Sequence, residues 1–193
     1  MSYFPAFLDL KNKKVLVIGG GKIASDKIGH LLDFTDDITI IAPTINETTK
    51  NYIQKHNLPY HPRAYRYGDI EGFFIVIVAV DDLSVQEAAY KECQERGALC
   101  NAVDSVDFCD FIFPSYIKEG DLIVAFSTSG TSPALSKYLR RAIERLIPKD
   151  IKAFLKELKA LRTSLPKGKE RMKLLDSKAK AYIQKHFKGL LDV

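Results

Sequence analysis

VLVIGGGKIA, from Val15 to Ala24, joins a strand pattern, a turn pattern and a helix pattern. Val15 to Ile18 is an apolar run rich in β-branched residues and predicts a buried strand, and the amphipathic stretch from Lys22 to Leu32 predicts a helix. The glycines between them have the spacing GxGxxA, which suits a tight turn and lets a pyrophosphate approach the N–H groups of the helix start. The stretch therefore predicts a dinucleotide site. The alternative is a glycine turn that only lets the strand and the helix pack together.

Outward from this stretch, predicted strands and helices alternate through the first half of the chain. The run from Phe73 to Val80 is apolar at every position, which is typical of a strand buried on both faces of a parallel sheet. Further strands are expected at 38–42 and 99–103, and helices at 47–56 and 84–96. This alternation predicts an α/β fold with a Rossmann-like, doubly wound parallel sheet.

The second half of the chain follows another pattern. Two strand-like runs, 111–117 and 122–127, are separated by a loop too short for a helical crossover, so they should pair as an antiparallel hairpin. Ser132 followed by Pro133 predicts the start of a helix that continues over 134–146. The stretch 150–187 is rich in Lys, Leu and Ala and predicts two further helices.

The predicted organisation has three parts: a Rossmann domain at 1–110, a hairpin and helix at 111–147, and a small helical C-terminal domain at 148–193. The charge is distributed unevenly along it. Residues 1–136 hold 12 Lys/Arg and 18 Asp/Glu, net −6, whereas residues 137–193 hold 17 and 6, net +11. The basic end indicates either solvated helix faces or attraction to a polyanion, such as nucleic acid or a substrate with many carboxylates.

Composition excludes several classes of protein. With 46% hydrophobic and 27% charged residues, the chain is typical of globular proteins and not of disordered or fibrous ones. Its apolar runs are too short for a membrane span and no signal segment opens it, so we expect a cytoplasmic protein that binds no membrane. The three cysteines, Cys93, Cys100 and Cys109, form no CxxC pair, and we expect buried thiols and no metal site.

Several polar residues follow the predicted strands at the carboxyl edge, where open α/β sheets bind ligands. Asp104 follows the 99–103 strand and is the best placed acid or base, although a turn cap is equally compatible with its position. Asp81 and Asp82 either line the same site or start a helix. Pro43 and Thr44 stand where NAD sites often carry an acidic ribose ligand, so the motif leaves NAD and NADP open.

A second constellation precedes the helix that starts at Pro133. Hydroxyls with a glycine at a helix N-terminus suit a carboxylate or a phosphate, whereas a simple capping loop is the alternative. Its residues are Ser127, Thr128, Ser129, Gly130, Thr131 and Ser132.

Taken together, these residues resemble the precorrin-2 dehydrogenase family, which includes the N-terminal module of siroheme synthases. The segments Asn-x-x-Asp, Phe-Ile-Phe-Pro and Ser-Thr-x-Gly-x-Ser-Pro are far more specific than the glycine turn. The matching stretches are Val15–Ala24, Ile40–Pro43, Val78–Asp82, Asn101–Asp104, Phe111–Pro114 and Leu122–Leu135.

The resemblance implies NAD-dependent removal of two hydrogens from the tetrapyrrole precorrin-2, giving sirohydrochlorin on the route to siroheme. It implies a homodimer in which 111–147 is the dimerisation region, and in some members insertion of ferrous iron as a further substrate. Asp104 matches the family's catalytic aspartate, and Thr128 stands where some members carry a phosphorylatable serine. The expected cofactor contacts are Gly19, Gly21, Lys22, Ile23, Ala24, Pro43, Thr44 and Asp81. The expected substrate contacts are Asn101, Ser127, Thr128, Ser129, Gly130 and Thr131.

Two other functions are alternatives to a dehydrogenase. A non-enzymatic NAD sensor needs the glycine turn but has no need for the segment from Asn101 to Asp104. Nucleic-acid binding by the basic end is not expected, because that end lacks interleaved aromatic residues and any known motif.

Overall fold

The structure, a computed structural model, describes residues 3–188. Its chain divides into two compact units, one through Ile112 and one from Phe113. The boundary lies close to the predicted end of the Rossmann domain at residue 110, and the further division predicted at residue 147 stays a prediction. The ends of the first and last predicted parts, residues 1–2 and 189–193, lie outside the described residues.

The first unit alternates strands and helices, as predicted. Within the described residues its strands form one parallel sheet in the order β3-β2-β1-β4-β5, which confirms the α/β fold with a Rossmann-like sheet. The two-residue edge strand β3 is the element that the sequence pattern did not predict. The elements are β1 (Val15–Ile18), α1 (Lys22–Leu31), β2 (Ile38–Ile41), α2 (Glu47–His56), β3 (Tyr60–His61), β4 (Ile75–Val78), α3 (Leu83–Arg96) and β5 (Leu99–Ala102).

The central strands β1 and β4 are buried along their whole length, which is why they are apolar at every position. Val15 pairs with both Ile38 and Ile75, so β1 lies between β2 and β4. Burying one side chain such as Leu16 or Ile77 contributes about 1.5–3 kcal/mol to folding. Because the strands are parallel, their carboxyl ends meet at one edge, and the loops there hold the candidate residues.

The start of α3 decides between the two roles considered for Asp81 and Asp82. The Asp82 carboxylate accepts hydrogen bonds from the main-chain N–H groups of Ser84 (2.9 Å) and Val85 (3.4 Å). A hydrogen bond from the Ser84 hydroxyl, and then these main-chain bonds, lower the pKa of Asp82. Asp82 is therefore the N-cap of α3, and Asp81 is the carboxylate left for another role.

The second unit begins with the predicted antiparallel hairpin, whose predicted bounds were wrong. Strand β6 covers Ser115–Glu119 and β7 covers Leu122–Phe126, so Lys118 and Glu119 belong to the strand and only Gly120 and Asp121 form the turn. Gly120 has a φ of 66°, which suits a two-residue hairpin turn. The preceding residues 111–114 are not in the hairpin, because the Phe111 carbonyl accepts a hydrogen bond from the Asn101 side chain instead.

Three helices complete the described part of the second unit: α4 (Pro133–Glu144), α5 (Ile151–Ser164) and α6 (Lys169–His186). Ser132 caps α4 as predicted, since its hydroxyl accepts a hydrogen bond from the Leu135 N–H at 3.2 Å. The α6 helix packs on α5 through the stacked rings of Phe154 and Tyr182, 3.9 Å apart. The Tyr182 hydroxyl donates to Asp150 just before α5, at 2.6 Å, which fixes the two helices together.

Candidate functional site

The first two glycines of the turn after β1 are required by packing. Gly19 has a φ of 121°, and a Cβ atom there would lie 2.2 Å from the carbonyl oxygen of Ala79. A Cβ atom on Gly20 would lie 2.3 Å from the carbonyl oxygen of Thr44. Contacts of this length are sterically impossible. The packing alternative therefore accounts for both positions without any ligand.

Gly21 differs from its neighbours because it faces open space. A Cβ atom added there meets no heavy atom within 4 Å, and the residue is exposed. Gly21 is also the N-cap of α1, and no side chain caps that helix. Lys22 and Ile23 are exposed beside it, whereas Ala24 is fully buried and packs in the core. The start of α1 therefore offers main-chain N–H groups and a positive dipole end to an anion.

Pro43 and Thr44 follow β2 and are exposed at the same edge. The Gly20 carbonyl accepts a hydrogen bond from the Asn46 N–H at 2.9 Å, which joins the glycine turn to this loop. The loop therefore flanks the start of α1, as a ribose contact requires, but neither Pro43 nor Thr44 supplies a carboxylate.

A cavity of about 200 Å³ opens at the carboxyl ends of β4 and β5. It brings Ile23 from the start of α1 together with the two predicted carboxylates, Asp81 and Asp104. The lining is Ile23, Ala79, Val80, Asp81, Leu83, Gln86, Val103, Asp104 and Ser105. Residues that are far apart in the sequence thus meet in one site, as the position of the strand ends predicts.

Asp104 has an unusual main-chain conformation. Its φ is 62°, in the left-handed region, and it follows β5 directly before a short turn of 3-10 helix at Val106–Phe108. Non-glycine residues in this region cost free energy and cluster at functional sites, where the surrounding structure holds them. The conformation is the second observation, after the cavity, that singles out Asp104.

Two further groups of α1 and the β5 loop shape the electrostatics near Asp104. Lys27 lies one turn after Ile23, and its partial burial lowers the pKa of its amine, against the opposing influence of Cys109, Asp104 and Asp26. Cys109 is only partly buried, so the expectation of a buried thiol was wrong for this residue. Its Sγ donates to the carbonyl oxygen of Ala102 at 3.1 Å. Cys93 and Cys100 are buried as expected.

Asn101, an expected substrate contact, is 6% exposed. Its side-chain amide donates to the carbonyl oxygen of Phe111 at 2.8 Å, and its main chain forms an isolated antiparallel bridge with Cys109. The Asn101 side chain therefore binds the main chain of the segment after β5, which folds back alongside that strand. This contact explains why an amide is needed there.

The hydroxyl loop before α4 is ordered by its own hydrogen bonds. The Thr128 hydroxyl accepts from the Ser132 N–H at 3.0 Å and from the Ser136 hydroxyl at 3.3 Å. Ser129 and Gly130 have φ values of 52° and 84°, which turn the chain sharply. Thr128 is thus engaged inside the loop, while Ser127, Ser129, Gly130 and Thr131 are exposed.

The parallel sheet and the open helix start after a glycine turn define a nucleotide-binding protein of the Rossmann class. The chain belongs to the putative NAD(P)-binding family, whose model matches residues 6–115. This match covers the elements that form the cavity and the glycine turn.

Comparison with known proteins extends the likeness to both units. The siroheme synthase 1 of Serratia proteamaculans is 36% identical over 148 residues, which are 77% of this chain and 31% of that protein. The siroheme synthase of Methylococcus capsulatus is 37% identical over 148 residues, again 77% and 31%. This chain thus spans about a third of the length of these curated relatives. The solved structure of SirC, precorrin-2 dehydrogenase, matches with a TM-score of 0.78 and 26% identity over 97% of this chain and 94% of that one.

Residues 3–188 lack two further features. No group of three or more His, Cys, Asp or Glu side chains in this part of the chain is arranged to hold a metal ion. None of the helices described there is both long and apolar enough to cross a membrane.

Proposed function

We propose that the protein catalyses NAD-dependent dehydrogenation of precorrin-2 to sirohydrochlorin in siroheme biosynthesis. The observation that carries the proposal is the cavity where Asp104, in its left-handed conformation, meets the uncapped start of α1. The likeness to the precorrin-2 dehydrogenase SirC over nearly the whole chain supports the substrate, and the identity to siroheme synthases supports the pathway.

The residues at the glycine turn fit a dinucleotide. At Gly21 a side chain would occupy the open space before α1, and the uncapped helix start supplies donors for a pyrophosphate. Lys22 and Ile23 flank this position, and Pro43 and Thr44 flank it on the β2 side. We propose that these residues bind NAD, with Gly19 and Ala24 acting through the packing of the turn and with Asp81 at the cavity wall.

The reaction requires that the substrate lose a hydride and a proton. NAD, when bound, takes up the hydride. The Asp104 carboxylate accepts the accompanying proton at one of its Oδ atoms, because it is exposed in the cavity rather than committed to a helix cap. Leu83 and Val103 contribute apolar side chains to the lining of the same cavity.

The substrate carries many carboxylates, and the hydroxyl loop is suited to bind them. We propose Ser127, Ser129, Gly130 and Thr131 as substrate contacts, since they are exposed just before the N-terminus of α4. The Thr128 hydroxyl orders the loop by accepting from the Ser132 N–H, and the Asn101 amide fixes the segment after β5 by donating to the Phe111 carbonyl. The net charge of +11 in residues 137–193 favours an anionic substrate.

We also propose that the protein is a homodimer. An apolar stripe runs along α4 and the residues just after it, and its members are at least 43% exposed. Spacings of three and four residues place Leu135, Tyr138 and Leu139 on one face of the helix, and Leu146 follows the end of α4. A second copy of the chain is the proposed occupant, in line with the homodimer that the resemblance to the precorrin-2 dehydrogenase family implies.

Leu139→Glu is expected to shift the dimer toward monomer, because it introduces a charge into an apolar contact. The measurement is the molar mass by light scattering over a range of protein concentrations. Lys137→Glu is the matched control, since it lies on α4 opposite the stripe and should leave the mass unchanged. A wild-type protein that is monomeric at all concentrations would contradict the proposal.

A cytoplasmic location belongs to the same proposal. The thiols of Cys93, Cys100 and Cys109 are all free, as is typical of proteins from reducing compartments.

Anaerobic absorbance spectroscopy with enzymatically prepared precorrin-2 and NAD tests the proposed reaction. We expect formation of NADH together with the spectrum of sirohydrochlorin. Subsequent addition of ferrous iron as substrate tests lyase activity: a spectral change faster than the uncatalysed rate would add chelatase to the function. NAD binding without any oxidation of precorrin-2 would contradict the proposal and favour a sensor.

A further inference from the structure

Gln86 occupies a buried position on α3 beside the candidate catalytic residue. Its side chain is almost fully buried, with 5% of the residue exposed. The Nε2 group donates to the carbonyl oxygen of Val80 at 2.7 Å and to that of Val103 at 3.3 Å. The Oε1 atom accepts a hydrogen bond from the hydroxyl of Ser105. All the polar atoms of the Gln86 side chain are therefore engaged.

The partners of Gln86 lie on both sides of Asp104. Val103 and Ser105 are the residues immediately before and after it, and Gln86 holds the carbonyl of the first and the hydroxyl of the second. The bond to Val80 ties the same side chain to the loop after β4, next to Asp81. One amide thus links the two loops that form the walls of the cavity.

This arrangement matters because of the conformation of Asp104. A φ of 62° is unfavourable for an aspartate and persists only where neighbouring contacts fix the chain. Main-chain bonds also fix this segment: the Val103 N–H donates to Val78, the Ser105 N–H donates to Ala102, and the Ser105 carbonyl accepts from the Phe108 N–H. The Gln86 side chain supplies the contacts from the helix side.

A residue that only filled the space between α3 and the sheet would not need an amide. A buried amide without partners costs free energy, so an apolar side chain is the simpler choice for such a contact. Gln86 instead presents donors to the two carbonyl groups and an acceptor to the hydroxyl.

We propose that Gln86 is a positioning residue that holds Asp104 in its left-handed conformation and thereby aims the carboxylate into the cavity. The catalytic part of this inference rests on the proposed dehydrogenase function, whereas the conformational part does not. Gln86 acts through the segment that carries Asp104, because its side chain is hydrogen-bonded to Val103 and Ser105.

The test compares Gln86→Met with the wild-type protein. Methionine keeps the length of the side chain but removes its donors and its acceptor. We expect kcat for precorrin-2 oxidation to fall about 10²-fold, as displacements of about 1 Å near a reacting group do, with the Kd for NAD changed less than about twofold. Gln94→Ala, on the exposed side of the same helix, is the matched control and should leave kcat unchanged.

Ser105→Ala provides a second variant in case Gln86→Met folds poorly. It removes one of the bonds and should lower kcat by a smaller factor, about fivefold, without changing the binding of NAD. A residue with only a structural role would lower Tm and leave kcat of the folded protein intact. Full kcat in both variants would overturn the inference.

A crystal structure of Gln86→Met separates this inference from the proposed function. If the wild-type protein does not oxidise precorrin-2, the proposed function fails, yet the variant structure still tests the role of Gln86. We expect the φ of Asp104 to leave the left-handed region, or the 103–105 segment to lose its single conformation. An unchanged segment in the variant would refute the inference whatever the activity.

Discussion

Asp104→Asn is expected to lower kcat for the proposed oxidation of precorrin-2 by about 10²–10⁴-fold and to leave the Kd for NAD within about twofold of the wild-type value. The amide has the shape of the carboxylate but cannot accept the proton that the substrate loses. Asparagine also tolerates the left-handed conformation at φ 62°, so the fold of the loop is preserved. The measurement is steady-state NADH formation, with NAD binding followed by calorimetry.

Asp107→Asn is the matched control for this variant. Asp107 is an exposed carboxylate in the turn just after Asp104 and does not line the cavity. Its replacement removes the same charge from the same loop and should leave kcat within about twofold. Equal losses of kcat in the two variants would indicate a general effect of charge and would contradict the proposed role of Asp104 as proton acceptor. Full activity of Asp104→Asn would do the same.

Glu92→Ala destabilises the first unit by about 3 kcal/mol or more. Glu92 is fully buried on α3, and its carboxylate accepts hydrogen bonds from the N–H groups of Gly68 (3.0 Å) and Ile70 (3.2 Å). It also accepts a hydrogen bond from the hydroxyl of Tyr65. Alanine would leave the buried Ile70 N–H without an acceptor and would remove the partner of the half-buried Tyr65 hydroxyl. Urea unfolding followed by circular dichroism measures the change.

Glu95→Ala is the exposed counterpart on the same helix. Glu95 accepts a hydrogen bond from the hydroxyl of Tyr67 at 2.7 Å. This pair lies at the surface, so water can replace the carboxylate that alanine removes. We expect its stability to change by less than about 0.5 kcal/mol. A Glu92→Ala protein as stable as Glu95→Ala would show that the buried network does not hold the 65–70 loop.

The same network predicts a dependence on alkaline pH. Burial, and then the bond to Glu92, raise the pKa of Tyr65 far above its ordinary value of 10.0. A group whose pKa is raised in the folded state stabilises it fully below the unfolded pKa and less as the pH rises. Stability should therefore fall as the pH rises above about 10. The fall should be shallower in Glu92→Ala, which lacks one cause of the shift.

The sequence predicted the sheet and led to a candidate site because both arguments rest on local patterns. Apolar runs located β1, β2, β4 and β5 within a few residues, and the strand-end rule led directly to Asp104. The hairpin was predicted with the wrong bounds, since Phe111 and its neighbours are as apolar as a strand but are held by Asn101. No local pattern distinguishes those two situations.

Gln86 and Glu92 show what the sequence did not reveal. Both are polar residues in a helix whose sequence is only weakly amphipathic, and both are buried. Their partners are main-chain groups and hydroxyls 6 to 27 residues away in the chain, which become neighbours only in the folded sheet. The signal that could have indicated them is their spacing: Gln86, Ala89 and Cys93 share one face of α3 with other buried residues.

The three glycines of the turn have different structural roles, so they carry different information about whether a protein binds a nucleotide. Gly19 and Gly20 are fixed by the backbone of Ala79 and Thr44, so their presence reports only that a chain has this architecture. The third, Gly21, is the position that is free to vary without harm to the fold. In genome surveys, the identity of that single residue is therefore the informative character for separating chains that have kept nucleotide binding from those that have retained the scaffold alone.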